Sequence, residues 1–277
     1  RLNLEIEPSP KARVLKHLDE FSEGNILAWS EANIWLMTQA NGRYDYQDLS
    51  TFNVKKFPVW KLLIKEQKIK FLEQGIKFLE EYLPDQNMNS RFWWRDPDLK
   101  YWAILAGCKA FFLSAQNDKL QDISDKLWRK WGPSVIFYVI ETFGYDHNED
   151  ESEAKFLLLN EFKFRASDEF EETLLWMAEI SKGHELMNVQ RFINDVSFIN
   201  KLIVYLNLKD PLNPFDETLL MFICRFHLHL ILETLTIWLE DNSRSKAIIA
   251  GRFLLEFSYP LADRKSTRLN SSHDQIS

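Results

Sequence analysis

The chain has 277 residues, a net charge of −7 and an apolar fraction of 45%, which is too apolar for a disordered chain and long enough for one or two domains. Eight glycines and nine prolines, about half the usual share, argue against turn-rich all-β folds and flexible linkers. An acidic chain is also a poor general nucleic-acid binder, because neutralising phosphates requires clustered lysine and arginine.

Two helical stretches are predicted in the first third of the chain. The first begins near Ser22 and ends at Asn41–Gly42, a pair that commonly stops a helix. The second is one long amphipathic helix from about Val59 to Leu83, ended by Pro84. Lysines and glutamates alternate along this helix, which predicts a salt-bridged solvent face rather than a nucleic-acid groove.

The next helices are predicted near two proline signals, Asp96–Pro97 and Gly132–Pro133. Asp96 and Pro97 favour a helix start, because Asp accepts a backbone N–H and Pro needs no donor at the first helical position. The small residues of this helix predict close approach of a neighbouring helix; they are Ala103, Ala106, Gly107 and Ala110. A short helix is predicted from Asp125 to Trp131. Gly132–Pro133 is predicted to break the chain before another helix, with a strand as the competing interpretation.

The remainder of the chain carries five further helix signals. Residues 146–153 predict a charged loop or a helix start, and Ser167–Asp168 predicts a helix start with a capping-box variant. Apolar spacing predicts a helix from Val196 to Leu206, a long helix from about Phe215 to Glu240 with a break near His229, and a last helix from about Arg244 to Phe257.

These elements predict an all-α fold. About ten helices with joins every 35–40 residues are typical of stacked helical hairpins, so we expect an α–α superhelix of the HEAT-like solenoid class. No Gly/Ser-rich linker divides the chain, and residues 1–262 are therefore predicted to form one continuous helical-repeat region.

The two cysteines and the most apolar window both favour a protein of the reducing cytoplasm. Cys108 and Cys224 lie inside apolar runs, which predicts buried free thiols. No signal peptide is visible. The window from Leu219 to Leu239 contains four ionisable side chains, and groups such as Arg cost about 2.5–3.5 kcal/mol at a bilayer centre. We therefore expect a cytoplasmic protein with a buried helix pair here, and no membrane partner.

Motifs of common catalytic sites are absent from the sequence. There is no phosphate loop, no Gly-x-Ser-x-Gly elbow and no His-Glu-x-x-His. His227 and His229 are two residues apart on a helix and point in roughly opposite directions, so they cannot bind one metal from one face. We expect no catalytic residue, no cofactor and no metal in this chain, and no enzymatic activity. An all-α enzyme with an inter-helix pocket and a purely structural helical domain stay open as alternatives.

The sharpest local feature is an aromatic run just before a predicted helix start. It consists of Phe92, Trp93, Trp94 and Arg95. Exposed Trp and Arg residues often dominate the energy of protein interfaces, so this run is our candidate partner-binding site. The alternative is that two of its aromatic rings close the hydrophobic interface between repeats.

One region resembles a known family. The matching runs are residues 96–110 (DPDLKYWAILAGCKA), residues 127–133 (LWRKWGP), an acidic loop, and then Glu169–Phe170 with Leu174–Leu175. Their order is similar to the C-terminal helical region of large bacterial NACHT-type NTPases of the STAND class, which often carry Trp-x-Lys-Trp-Ala-Pro ahead of an acidic loop. Gly132 stands here in place of the Ala, a mild departure.

The resemblance implies a sensor or scaffold solenoid in an ATP-driven switch, often linked to antiviral defence. It implies a protein partner and an upstream NTPase domain of the same chain. The family's ATPase residues have no counterpart in this sequence, so no catalytic residue is transferred.

Residues 263–277 (DRKSTRLNSSHDQIS) change composition abruptly. They resemble the conceptual translation of a sequencing adapter, and we expect an artefactual, disordered tail. Because the chain begins at Arg1 rather than Met, we expect residues 1–262 to be a fragment of a longer protein.

Overall fold

The computed structural model describes residues 6–43, 53–82, 84, 99–141, 149–179 and 195–271. Over these residues the chain forms eleven α-helices and no strand, which confirms the all-α prediction. The helices are α1 (Pro10–Ser22), α2 (Ala28–Met37), α3 (Pro58–Leu62), α4 (Lys65–Glu81), α5 (Leu99–Ala115), α6 (Asp125–Glu141), α7 (Glu149–Arg165), α8 (Ser167–Glu179), α9 (Val196–Asn207), α10 (Pro214–Leu239) and α11 (Arg244–Ser271).

The chain divides into two compact units, residues 1–173 and 174–277. The sequence predicts one continuous array over residues 1–262, and that array stays a prediction. α11 continues to Ser271, so part of the segment that the sequence assigns to a disordered tail is helical. The artefactual origin of residues 263–277 also stays a prediction.

In the first unit, helical hairpins stack in two layers. The pairs α1–α2, α4–α5 and α6–α7 each pack together. The first helices of the pairs also contact one another in order, α1 with α4 and α4 with α6, and so do the second helices, α2 with α5 and α5 with α7. Each hairpin thereby buries its apolar face on the next one, as in helical-repeat proteins.

An aromatic seam fills the space between these layers. The Trp29 ring lies 5.1 Å from both Phe71 and Phe78, and Phe78 lies 6.0 Å from Trp131. Further along, Trp128 lies 4.8 Å from Phe111 and 6.4 Å from Phe162. Rings at such separations add to the free energy of burial, so the seam ties α2, α4, α5, α6 and α7 into one core.

Three local predictions are wrong. The helix predicted to begin near Ser22 begins only at Ala28, because Ser22 is the last residue of α1 and the chain turns at Gly24, where φ is 103°. The predicted helix over Val59–Leu83 is two helices, because Leu63 and Ile64 are extended and the Gln67 side chain accepts the Ile64 N–H at 3.1 Å, which starts α4 anew. The predicted break at Gly132–Pro133 lies inside the continuous α6. Buried side chains before and after Pro133 hold the helix on its neighbours; they are Trp128, Trp131, Ile136 and Phe137.

The second unit contains α9, α10 and α11, with α10 packed against both of the other two. α10 is kinked at His227, where φ is −138° and ψ is 33°, two residues from the predicted break. At the start of α10, the Asn213 N–H donates to Asp216 at 2.9 Å and the Asp216 N–H donates to Asn213 at 3.0 Å. This reciprocal cap fixes where α10 begins.

Candidate functional site

The predicted partner-binding run, Phe92 to Arg95, lies outside the described residues. It stays a prediction. The middle of the acidic stretch is also outside them, and α7 begins at Glu149. Within α7, the buried Glu151 pairs with Lys56 at 2.8 Å, so this carboxylate joins two elements of the first unit.

The tryptophan motif that carries the family resemblance is a packing centre. Trp128 and Trp131 are fully buried, and the Trp131 indole N–H donates to the Leu79 carbonyl at 2.9 Å. The Lys130 ammonium donates to the same carbonyl at 3.1 Å. Leu79 lies in the last turn of α4, where unpaired carbonyls favour a cation. The motif therefore fastens α6 to the end of α4.

Two glycines make this packing possible. A Cβ atom on Gly107 would lie 2.1 Å from the Trp131 ring, and one on Gly132 would lie 2.0 Å from the Phe162 ring. Both distances are far inside van der Waals contact. The small-residue face of α5 therefore admits a neighbouring helix at Gly107, as predicted from the sequence.

A buried lysine also lies in the first unit. Lys109 on α5 is almost completely buried, with its ammonium 3.1 Å from the Met37 sulfur and 4.9 Å from the centre of the Phe57 ring. Cation–π attraction offsets part of the cost of burying the charge. The sequence gives no signal for this arrangement, since Lys109 looks like any solvent-facing lysine of a helix.

The two histidines of α10 lie in different environments. His227 is buried at the kink, its Nε2 atom has no hydrogen-bond partner among the described residues, and His229 is exposed. Burial lowers the pKa of His227, and the neighbouring His229 lowers it further. His227 is therefore a buried, neutral imidazole at the kink of an apolar helix.

A cluster that the sequence did not predict lies in the first hairpin. The Nδ1 atom of His17 is 2.8 Å from a carboxylate oxygen of Glu20 and 3.2 Å from one of Glu31. His17 and Glu20 lie one turn apart on α1, and Glu31 lies on α2. Hydrogen bonds from Lys16 and His17 lower the pKa of Glu20. Sequence spacing could reveal the His17–Glu20 pair, but only the packing of α1 on α2 brings Glu31 to it.

A groove of about 620 Å³ lies on the second unit along α9. It is lined by Val196, Ser197, Asn200, Lys201 and Val204. Elsewhere Phe164 on α7 is 86% exposed, which is unusual for a large aromatic ring. The five side chains that line the groove include no converging pair of acid–base groups.

Comparisons with protein-family models, with curated proteins and with solved structures returned no match. The NACHT-type resemblance therefore stays a prediction. One described helix, Asp216–Leu239, is long and apolar enough to cross a membrane, with a mean hydropathy of 1.5 and 39% of the apolar window buried. That segment is most of α10.

Proposed function

We propose that this chain is a helical-repeat interaction module of the kind found in the sensor region of NACHT-like STAND ATPases. It would bind a protein partner in defence or signalling, and the described helices would perform no catalysis. The observation that carries the proposal is the stacking of α1–α2, α4–α5 and α6–α7 in two layers, because stacked hairpins form the extended surfaces with which solenoids bind partners.

The role of the tryptophan motif supports the same proposal. A motif that fastens one hairpin to the next has no need of catalytic side chains. We expect such a motif wherever hairpins stack in this way, as they would in a family of helical sensor regions.

We propose a cytoplasmic location, with α10 as a core helix of its unit rather than a membrane span. Several of its apolar side chains are completely buried; they include Leu219, Leu220, Ile223, Ile231 and Leu235. The buried free thiols of Cys108 and Cys224 are typical of a reducing compartment.

The complete reading frame of the gene tests the proposal. We expect it to encode an NTPase domain with a phosphate loop upstream of this region. The full-length protein should then hydrolyse ATP, and substituting the phosphate-loop lysine should abolish hydrolysis while leaving the helical region folded. A complete frame without any NTPase domain would contradict the ATPase part of the proposal.

A further inference from the structure

We propose that His17, Glu20 and Glu31 form a binding site for one divalent transition-metal ion of the Zn²⁺ class, which would link α1 to α2. The proposal is independent of partner binding and of the proposed ATPase. It adds a ligand that the sequence does not predict, since the sequence leads us to expect no metal.

The two separations from the imidazole nitrogen fit a single ion, and the two glutamate oxygens must lie within about 4.2 Å of each other to share it at bond lengths of about 2.1 Å. One nitrogen and two oxygens lie within 4.8 Å of one another. For metal–ligand bonds of about 2.1 Å, the separations of 2.8 Å and 3.2 Å from His17 Nδ1 correspond to angles of about 85° and 100° at the metal. These values lie near the octahedral and tetrahedral angles, so the imidazole and both carboxylates can share one ion after small rotations of the glutamates.

The charge of the cluster also favours a cation. His17 Nδ1 can carry only one hydrogen, yet two carboxylates lie within 3.2 Å of it. Even with a protonated imidazole, the three side chains retain one net negative charge. Lys16 contacts the other oxygen of Glu20 at 3.0 Å, but its side chain is 68% exposed, so solvent screens much of its charge. A divalent ion would neutralise both carboxylates directly.

The site is held rigidly at the histidine and stays open at the glutamates. The His17 side chain is only 11% exposed, whereas Glu20 is 30% and Glu31 is 42% exposed. His17 lies on the buried face of α1 with Val14, Leu18 and Phe21, and α1 and α2 pack extensively on each other. A fixed imidazole lowers the entropy lost on binding, and the accessible carboxylates provide an entry path for the ion.

The ligand set indicates which ion binds. An imidazole nitrogen suits Zn²⁺ and its neighbours, whereas Ca²⁺ and Mg²⁺ prefer oxygen ligands alone. Three protein ligands leave a fourth position for water, the coordination of an open zinc site. We expect Zn²⁺ to bind more tightly than Mn²⁺, which is the weakest ion in the usual order of affinity.

Calorimetric titration of the metal-stripped full chain with ZnCl₂ tests the proposal. We expect one equivalent to bind, and we expect Glu31→Gln and His17→Ala each to weaken binding at least about tenfold, as the loss of a ligand requires. The exposed residues His229 and Glu233 of α10 provide matched controls, since His229→Ala and Glu233→Gln should bind as the unchanged protein does.

Two further measurements keep the test decisive if His17→Ala does not fold. Glu31→Gln alters a partly exposed side chain and should retain the circular dichroism spectrum of the unchanged protein. Zn²⁺ should raise the melting temperature of the unchanged chain but not that of Glu31→Gln. Failure of the unchanged chain to bind one equivalent, or binding of Glu31→Gln with undiminished affinity, would overturn the proposal.

Discussion

Gly132 illustrates how a single missing methyl group sets the spacing of two helices. The Trp-x-Lys-Trp-Ala-Pro pattern that residues 128–133 resemble has Ala where this chain has Gly132. In the structure the Phe162 ring of α7 occupies the space that an Ala Cβ would need, with 2.0 Å between them. The Phe162 ring can therefore pack against α6 only because residue 132 has no side chain.

We expect Gly132→Ala to destabilise the first unit by up to about 2 kcal/mol. The gain of about 1 kcal/mol from replacing a helical glycine is outweighed by overpacking, which costs about 1–3 kcal/mol. Urea unfolding of the purified chain measures the difference. Adding Phe162→Leu to the variant should recover part of the loss, because the two sites are coupled.

Gly251 on α11 is the control for that experiment. A Cβ atom there would lie 3.7 Å from Leu239, an ordinary contact. Gly251→Ala should therefore stabilise the protein by about 0.5–1 kcal/mol through helix propensity alone. If Gly132→Ala stabilised the chain as much as Gly251→Ala does, the proposed contact between Gly132 and Phe162 would be wrong.

The two buried free thiols should be unreactive in the folded protein. Burial raises the pKa of Cys108, and burial with the charge of Glu256 raises the pKa of Cys224 to about 12. Because the thiolate is the reactive form, neither residue should react with iodoacetamide at pH 8 in the folded protein. Mass spectrometry should find both alkylated after denaturation in urea. Rapid alkylation of Cys224 without denaturant would contradict its burial.

Several helix starts could be predicted from the sequence, but the start of α2, the interruption at Leu63–Ile64 and the continuity of α6 through Pro133 could not. Ser167 and Arg244 begin helices where the sequence predicts them, because caps and apolar spacing are local signals. The continuity of α6 through Pro133 depends on Trp131 packing on α4 and α5. No local signal carries that information, so propensity alone predicted a break.

The kink of α10 was predictable within two residues, because a polar histidine interrupts a very apolar run. What the sequence could not reveal is that His227 is buried, with Nε2 lacking a partner among the described residues.

We expect the free energy of unfolding of the second unit to fall as the pH drops below about 6.5, the pKa of a histidine in an unfolded chain. Since burial lowers the pKa of His227 in the folded state, the unfolded state binds the proton more readily, and neutral His227 is fully tolerated only above that pH. Urea unfolding at pH 7.5 and pH 5.0 measures the loss. His227→Gln should show a smaller loss between the two pH values, and an equal loss would contradict the assignment.

Across the whole molecule, composition and helix spacing were sufficient to predict the all-α fold class, and they also predicted the stacked hairpins seen in the first unit. They were insufficient to predict which side chains of different helices contact each other. Glu31 reaches His17 only because α2 folds back on α1, and the buried Lys109 meets Met37 only because α5 packs on α2. Sites assembled from separate helices leave no fixed spacing in the sequence.

We propose that this helical-repeat chain binds a protein partner, with Phe92 to Arg95 as the candidate site. Trp131→Ala provides a reference for the loss of a core residue, because Trp131 is fully buried and its removal should cost about 3–5 kcal/mol. A partner-binding tryptophan should instead be removable without such a loss.

The most direct test is a paired measurement on Trp93→Ala/Trp94→Ala in the full-length protein, combining thermal unfolding by circular dichroism with cross-linking to the partner in host cells. We expect a melting temperature close to that of the unchanged protein together with loss of the cross-linked species. A fall in melting temperature as large as that of Trp131→Ala, or undiminished cross-linking, would contradict it.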